Sequence, residues 1–485
     1  MDANTGRAPL QGVHDVDWVR LAPQRGDEIP GLLQTIAGGG TDSMDAVTAL
    51  YDILRHPGPG YLAAPEAAGF LADIACHPDT AAPGEALSLL FELVVPVPLA
   101  VVPRFWDTDL WRDEVAWAVA AAPEEAREQY RQWSAEAPDE QAYRRMSARF
   151  GVLGLEGGAG LLKAELDTRA AVAERAEALT GLLEGRENRR GMNSTAEWAV
   201  SILAFLPEAA EGTVSRIRTR MVDQARREAR QSGTGVRMQE EWRRPLAAEL
   251  FALGMLGDPS DATATVALVE EMEAGNLYRA FAAACALALI HGERAPVQAL
   301  DKLGELGGTR VGFTALFDDA WPHPGVVEPV VLAYLALGRC GDAAAELRAR
   351  ILPEALAKAG PSAAAVVGDA LESVLGPRSG PADAAEAMEK ALAEDGGGEP
   401  DRLLRVLWSV AELPEADWEE QGVGDTVQAW SLPADRDAFR DYVGVDDDEE
   451  EDASEAQDGD AAPEAASGQA AEERPKSLLG RLFGG

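Results

Sequence analysis

The chain has 485 residues and a formal net charge of -40, which comes from 83 acidic and 43 basic side chains. Phosphate and anionic lipid surfaces are bound through clustered Lys and Arg, so this charge argues against binding such surfaces along the whole chain. The length exceeds what one compact core accommodates, and an apolar fraction of 46% is typical of a folded protein. We therefore predict several domains or one elongated array, ordered over most of its length.

Three cysteines stand far apart at Cys76, Cys285 and Cys340. Two of them lie in Ala- and Leu-rich helical patterns, which indicates buried structural thiols in a reducing compartment. The N-terminus has no apolar core of a secretory signal. The longest apolar runs, 93–103 and 280–290, are 11 residues each, shorter than the ~20 residues that span a membrane. We expect a soluble cytoplasmic protein.

The spacing of apolar residues predicts four short amphipathic helices early in the chain, at 29–38, 43–55, 65–76 and 83–95. Pro30 suits the first turn of its helix, because the missing N–H has no partner to lose there. Gly and Pro residues separate the helices. Four amphipathic helices in close succession are typical of helix-pair architectures.

Four segments carry a resemblance to a known family: EIPGLLQTIAGG, ALYDILRHPG, APEAAGFLADIACHP and GEALSLLFELV. Together they resemble the opening of the HEAT-like repeat proteins that are common in actinobacteria, and the match covers residues 28–95. The resemblance implies an α-solenoid. Because most of those relatives have unknown functions, it transfers no catalytic residue to this chain.

The pattern is less regular from residue 96 onward, since prolines interrupt the next apolar segment and a helix cannot continue through them. Four aromatic residues follow: Phe105, Trp106, Trp111 and Trp117. An interface is one interpretation, because Trp is enriched at binding hot spots. Core packing is the other, most of all for Trp117, which lies among Val and Ala. Trp106 and Trp111 stand beside charged residues, so we expect them to be exposed interface aromatics.

Signals of catalysis or metal binding are weak. The five histidines occur singly, and neither HExxH nor a CxxC pair is present. The glycines at 154, 157, 158 and 160 superficially resemble a phosphate loop, but no strand precedes them and no Lys-Ser/Thr pair follows at the required spacing. We interpret this stretch as a loop between helices, and predict a non-enzyme without cofactor or metal.

An arginine-rich stretch spans residues 213–244 and contains nine arginines and four carboxylates. We name the six arginines that share its helical part the arginine patch: Arg216, Arg218, Arg220, Arg226, Arg227 and Arg230. Guanidinium groups pair bidentately with phosphates and carboxylates, so the patch could bind an anion or an acidic partner. It could equally be a solvated face that pairs with its own Glu residues, or the surface onto which the acidic tail folds back.

Residues 246–306 contain four short helical patterns and an internal repeat. The pattern ALGxxGD occurs at 252–258 and again at 336–342, a separation of 84 residues, with a weaker copy at 289–293. Two repeats of about 40 residues account for that separation, and this is the period of HEAT-like helix pairs. In such a unit Gly ends one helix and Asp begins the next turn.

The C-terminal part differs in composition. Residues 444–475 hold 13 acidic residues and one Arg, with almost no large apolar side chain. Such a segment cannot bury enough surface to offset its ordering entropy, so we predict a disordered acidic linker.

The last ten residues, KSLLGRLFGG, would form one apolar face in a helix, with cations on its other sides. We name five of them the docking tip: Leu478, Leu479, Arg481, Leu482 and Phe483. The tip could bind a groove of a partner, make a weak membrane contact, or cover a groove of its own fold.

We therefore predict an all-α fold, a right-handed α-solenoid of stacked antiparallel helix pairs of HEAT or ARM type, followed by a disordered acidic tail. The expected regions are a polar lead (1–27), two helical regions (28–184 and 185–443), the linker (444–475) and the tip (476–485). The concave surface of a solenoid mostly binds other proteins, so the predicted function is a protein-binding scaffold or adaptor. Alternatives are a nucleic-acid-binding solenoid that uses the arginine patch, as HEAT-like DNA-repair glycosylases do, and a lyase or hydrolase of the HEAT-like cofactor-attachment type, for which no motif is present.

Overall fold

The computed structural model of the protein describes residues 8–54, 58–95, 108–183, 195–230, 246–273, 276–307, 328–376 and 399–445. Within these ranges every regular element is a helix and no strand occurs. The predicted all-α class is confirmed. The chain divides into two compact units, residues 1–137 with 141–351 and residues 138–140 with 352–485.

The four helices that the apolar spacing predicts are all present, as α2 to α5. The first part of the chain contains α1 (Trp18–Leu21), α2 (Ile29–Gly38), α3 (Ser43–Leu54), α4 (Ala64–Cys76), α5 (Pro83–Val94), α6 (Thr108–Ala120), α7 (Pro123–Ala135), α8 (Glu140–Leu153), α9 (Gly158–Ala173), α10 (Ala176–Gly181), α11 (Thr195–Ala204) and α12 (Ala210–Arg230).

The region with the internal repeat follows. It contains α13 (Ala247–Leu256), α14 (Ala262–Glu273), α15 (Leu277–His291), α16 (Val297–Gly307), α17 (Pro329–Leu337) and α18 (Ala345–Ala357), and the boundary between the two units falls inside α18.

Helices α5, α11, α13, α15 and α17 form one row, because each packs against the next. A second helix accompanies most members of the row: α4 packs on α5, α14 and α16 pack on α15, and α12 packs on α13. The row passes directly from α5 to α11, although α6 to α10 lie between them in sequence. Helices α6 to α10 are thus an insertion between two consecutive members of the row, and α9 holds this insertion against α4.

Helix α15 is a member of the row that is buried on all sides over most of its length. Every residue from Arg279 to Ile290 is buried, which is the pattern of a helix surrounded by other helices. Small residues permit the close approach that this position requires. A Cβ on Gly254 of α13 would lie 2.6 Å from the Cα of Ala286. The Gly of the first ALG copy is therefore a packing residue.

The turns of the repeat contact each other in the second and third copies. Gly292 (φ +55°) and Gly341 (φ +54°) both adopt a left-handed conformation. A Cβ on Gly292 would lie 3.1 Å from the carbonyl oxygen of Arg339, and one on Gly341 would lie 3.1 Å from Oε1 of Glu293. The repeats are unequal in length, since 35 residues separate Gly257 from Gly292 and 49 separate Gly292 from Gly341.

The second unit has its own apolar centre. Its helices include α19 (Ala363–Leu375), α20 (Glu399–Ala411), α21 (Glu415–Glu420), α22 (Val423–Gln428) and α23 (Arg436–Val443). Trp418 of α21 packs on Phe439 of α23 with ring centroids 5.2 Å apart. Trp430, which lies between them in sequence, is also buried. In the described residues this unit therefore buries three large aromatic side chains in little more than twenty positions.

A glycine-to-alanine pair tests the packing of the row. Gly254→Ala places a methyl group against the backbone of α15, and we expect a loss of about 1–3 kcal/mol from the free energy of unfolding. The matched control is Gly151→Ala in α8, whose Cβ would meet no described atom within 4 Å. The control should be neutral or stabilising by up to about 1 kcal/mol. Thermal melts followed by circular dichroism measure both, and equal midpoints for the two variants would contradict the close contact.

Candidate functional site: the arginine-rich helix

Helix α12 carries the arginine patch. The structure describes the side chains of Arg216, Arg218 and Arg220, all of which are partly buried. The side chains of Arg226, Arg227 and Arg230 lie outside the described residues, although the helical backbone continues through them to Arg230. The site is therefore built here from the first half of the patch.

Arg220 connects three helices. Its Nη1 lies 2.5 Å from Oε1 of Glu249, a fully buried carboxylate in the first turn of α13, and donates a 2.9 Å hydrogen bond to the carbonyl oxygen of Leu183 beyond α10. Oε2 of Glu249 accepts a 2.7 Å hydrogen bond from the backbone N–H of Leu246. The guanidinium thus neutralises the carboxylate that caps the N-terminus of α13.

Arg218 makes the equivalent contact with α14. Its Nη1 donates a 2.6 Å hydrogen bond to Oδ2 of Asp261. The other oxygen of Asp261 accepts hydrogen bonds from the N–H groups of Thr263 (3.1 Å) and Ala264 (3.0 Å) at the start of α14. These contacts stabilise the carboxylate, and the pKa of Asp261 is lowered, first by the Ala264 N–H and then by Arg218.

Arg218 and Arg220 therefore pair with carboxylates that cap the next two helices. This is not a pairing of the helix with its own Glu residues, and it does not leave these two guanidinium groups free for an outside anion. None of the three sequence interpretations of the patch included it. The signal was present in part, because Glu249 and Asp261 both stand in the first-turn or cap positions that favour acidic residues.

A second arginine cluster lies where the insertion meets the row, and no pattern in the sequence predicted it. Arg169 of α9 is buried and donates hydrogen bonds to the carbonyl oxygens of Phe205 (2.6 Å) and Val94 (3.5 Å). Val94 ends α5, and Phe205 follows α11. One side chain thus satisfies carbonyl groups at the ends of two neighbouring helices of the row.

Two guanidinium groups lie over the ring of Trp111. The carbon Cζ of Arg149 is 4.7 Å from the ring centroid, and that of Arg169 is 5.4 Å away. Arg149 is also ion-paired with the buried carboxylate of Glu114. The prediction that Trp111 is exposed is wrong, since the residue is only 6% exposed. The prediction rested on the charged residue beside it, Arg112, which is exposed. The indole itself is buried and packs on Arg149 of α8 and Arg169 of α9. Trp106, the other predicted interface aromatic, lies outside the described residues.

Burial dominates the ionisation of the groups in this cluster. It lowers the pKa of both Arg149 and Arg169, although nearby carboxylates such as Glu165 act in the opposite direction. It raises the pKa of the Tyr130 hydroxyl to about 12. A neutral phenol and two paired cations supply no base or nucleophile at neutral pH. The cluster is therefore suited to holding helices together.

The thiols are equally unreactive in this environment. Cys285 and Cys340 are buried and Cys76 is partly buried, and all three are free thiols. Burial raises the pKa of Cys76 to about 12 and that of Cys340 to about 11, so the nucleophilic thiolate is scarce at neutral pH.

The remaining predicted features have simple outcomes. Residues 154–157 form the loop between α8 and α9 that the sequence predicted, whereas Gly158 and Gly160 lie in the first turn of α9. Among the described residues no group of three His, Cys, Asp or Glu side chains is placed to hold a metal ion. No described helix is both long enough and apolar enough to cross a bilayer.

The acidic linker and the docking tip, with Leu478, Leu479, Arg481, Leu482 and Phe483, lie outside the described residues.

Comparison with known proteins adds no relative. No protein family matches the chain, and neither a curated protein nor a solved structure is similar enough to indicate a relationship. The HEAT-like resemblance of residues 28–95 stays a hypothesis that rests on those residues alone.

The Arg220–Glu249 pair predicts a strong effect on stability. Arg220→Met leaves a buried carboxylate without its cation, which should cost about 3–5 kcal/mol in the free energy of unfolding. Arg112→Met is the matched control, because Arg112 pairs with Asp109 at an exposed position; its effect should stay within about 1 kcal/mol. The double variant Arg220→Met/Glu249→Leu should recover part of the loss in chemical denaturation. Equal effects of Arg220→Met and Arg112→Met would show that the pair is not buried.

The lowered pKa of Asp261 predicts a pH dependence. Because the pKa in the folded state lies below the unfolded value, the carboxylate contributes stability above about pH 4, and the contribution is lost as the pH falls through the folded pKa. The melting temperature of Asp261→Asn should therefore lie below that of wild type at pH 7, and the difference should shrink toward about pH 2. Asp109→Asn, at an exposed position, is the control. A difference that does not depend on pH would argue against the ionised cap.

Proposed function

We propose that the protein is a non-enzymatic scaffold that binds other proteins along a right-handed α-solenoid of HEAT-like helix pairs. The observation that carries this proposal is the continuous row of α5, α11, α13, α15 and α17, each packed on the next and most with an accompanying helix. Stacked helix pairs share one continuous core and present extended surfaces, and proteins built in this way mostly bind other proteins.

The charge distribution favours protein partners over nucleic acid. The net charge of -40 opposes phosphate, and Arg218 and Arg220 already pair with carboxylates of the fold. The arginine patch is thereby smaller than its sequence indicates. We place this activity in the cytoplasm, where free thiols such as Cys285 and Cys340 stay reduced.

In this proposal the docking tip supplies a second binding site. The acidic linker would let the tip bind one partner while the folded region binds another. Two weak sites on one chain raise the overall avidity well beyond either affinity, provided that the linker spans both sites. Four apolar side chains with two cations fit a groove on a partner better than a membrane, for which they give only marginal affinity.

Quantitative affinity capture with the full-length chain tests this function. Leu482→Asp/Phe483→Asp disrupts the apolar face of the tip, and Gly484→Asp/Gly485→Asp adds the same charge while leaving that face intact. We expect the first variant to lose one group of bound proteins, with a second group retained by both variants, all resistant to nuclease.

Two outcomes would contradict the scaffold. If nuclease treatment releases the captured proteins, the nucleic-acid alternative is favoured. If both variants and wild type capture no protein above a matched background, neither the folded region nor the tip acts as a binding site.

A further inference from the structure

One side of α6 forms a strip of two apolar side chains and one carboxylate. Leu110, Asp113 and Trp117 follow one another at helical spacing i, i+3 and i+7, so they lie along one side of the helix. Leu110 is 50% exposed, Asp113 is exposed and Trp117 is partly exposed. The opposite side of α6 is buried through Trp111, Val115 and Ala118, and α6 packs on α9.

Two tryptophans form a platform at this strip. Trp117 packs edge to face on Trp133 of α7, with ring centroids 5.4 Å apart, and both indoles are partly exposed. Behind them Trp133 packs on the buried Tyr130, with centroids 5.0 Å apart. Rigid indoles that are already held in place lose little conformational freedom when a ligand binds, which is a property of binding hot spots.

The charge beside the platform is negative. Each arginine of α6 and α7 is already engaged: Arg112 pairs with Asp109, Arg131 pairs with Glu128, and Arg127 lies over the ring of Phe150 at 5.1 Å. Asp113 precedes Trp117 by one turn, and Glu136 follows Trp133 by three residues. Among the described residues no cation pairs with either carboxylate. Exposed indole faces also attract cations.

We propose that the α6–α7 platform binds a cationic amphipathic helix of a partner protein. The partner's apolar side chains would cover Leu110, Trp117 and Trp133, and its Lys or Arg side chains would lie beside Asp113 and Glu136. This inference rests on the proposed scaffold function and names the chemistry of one partner. A second copy of the chain is a poor occupant, because two chains of net charge -40 repel each other. The chain's own tip follows a linker with 13 carboxylates, which an acidic surface repels.

The test measures binding of a synthetic 14-residue helical peptide of Leu and Lys, with all Leu on one side, to the full chain in 150 mM salt by fluorescence anisotropy. Trp117→Ala should weaken binding at least about tenfold. The matched control Trp408→Ala removes another exposed tryptophan, 42% exposed, and should leave affinity unchanged. Asp113→Asn/Glu136→Gln should weaken binding several-fold, whereas Glu124→Gln/Glu125→Gln, the same charge change at exposed positions near the start of α7, should not.

Four outcomes would overturn the proposal. Equal effects of the two carboxylate pairs, or of the two tryptophan variants, would mean that the peptide binds only the general negative charge. If Trp117→Ala loses its helical circular dichroism signal, its loss of binding reflects unfolding. The comparison of the two carboxylate variants then tests the proposal. A wild-type dimer in sedimentation that Asp113→Asn/Glu136→Gln alters would assign the face to a second copy. Tighter peptide binding by the tip variant Leu482→Asp/Phe483→Asp would assign it to the chain's own tip. If the peptide experiment contradicts the platform, the result of the affinity-capture experiment is unaffected. The two proposals can therefore fail separately.

Discussion

Helix ends inside a stack of helices present amide and carbonyl groups without intrahelical partners, and such groups are costly to bury. In the first unit, buried or half-buried arginines satisfy many of them. Arg169 donates to carbonyls at the ends of α5 and α11, and Arg220 donates to a carbonyl beyond α10 while neutralising the cap of α13. The Arg169 contacts join two consecutive helices of the row, α5 and α11, and the Arg220 contacts join α12 to α13.

The insertion shows why the arginine contacts at helix ends are important for the fold. Helices α6 to α10 separate α5 from α11 in sequence, so nothing local brings these two members of the row together. Arg169 comes from the insertion itself and contacts both of their C-terminal ends. The same side chain contacts Trp111, which also contacts Arg149. The insertion and the row are therefore stabilised by one shared cluster, and a change in that cluster affects both.

Local signals in the sequence predicted the elements well and the contacts poorly. The period of apolar residues located α2 to α5, and the ALGxxGD copies located helix ends and turns that the structure contains. The exposure of Trp111 was predicted wrongly because its two cation partners come from helices that begin about 30 or more residues later. A charged neighbour in the sequence does not indicate such partners. The pairing of Arg218 and Arg220 with Asp261 and Glu249 was missed for the same reason. Composition reveals an excess of charge, but the partner of each guanidinium is set by the tertiary packing.

The first half of the arginine-rich helix joins helices and does not form a free anion site. Hydrogen exchange measured by mass spectrometry tests this role by comparing wild type with Arg220→Met. We predict faster exchange in the first turns of α13 and across α12, with α4 and α5 unchanged. Unchanged exchange in α13, together with weaker binding of a polyanion such as heparin by the variant, would contradict the claim and restore the arginine patch as a binding surface.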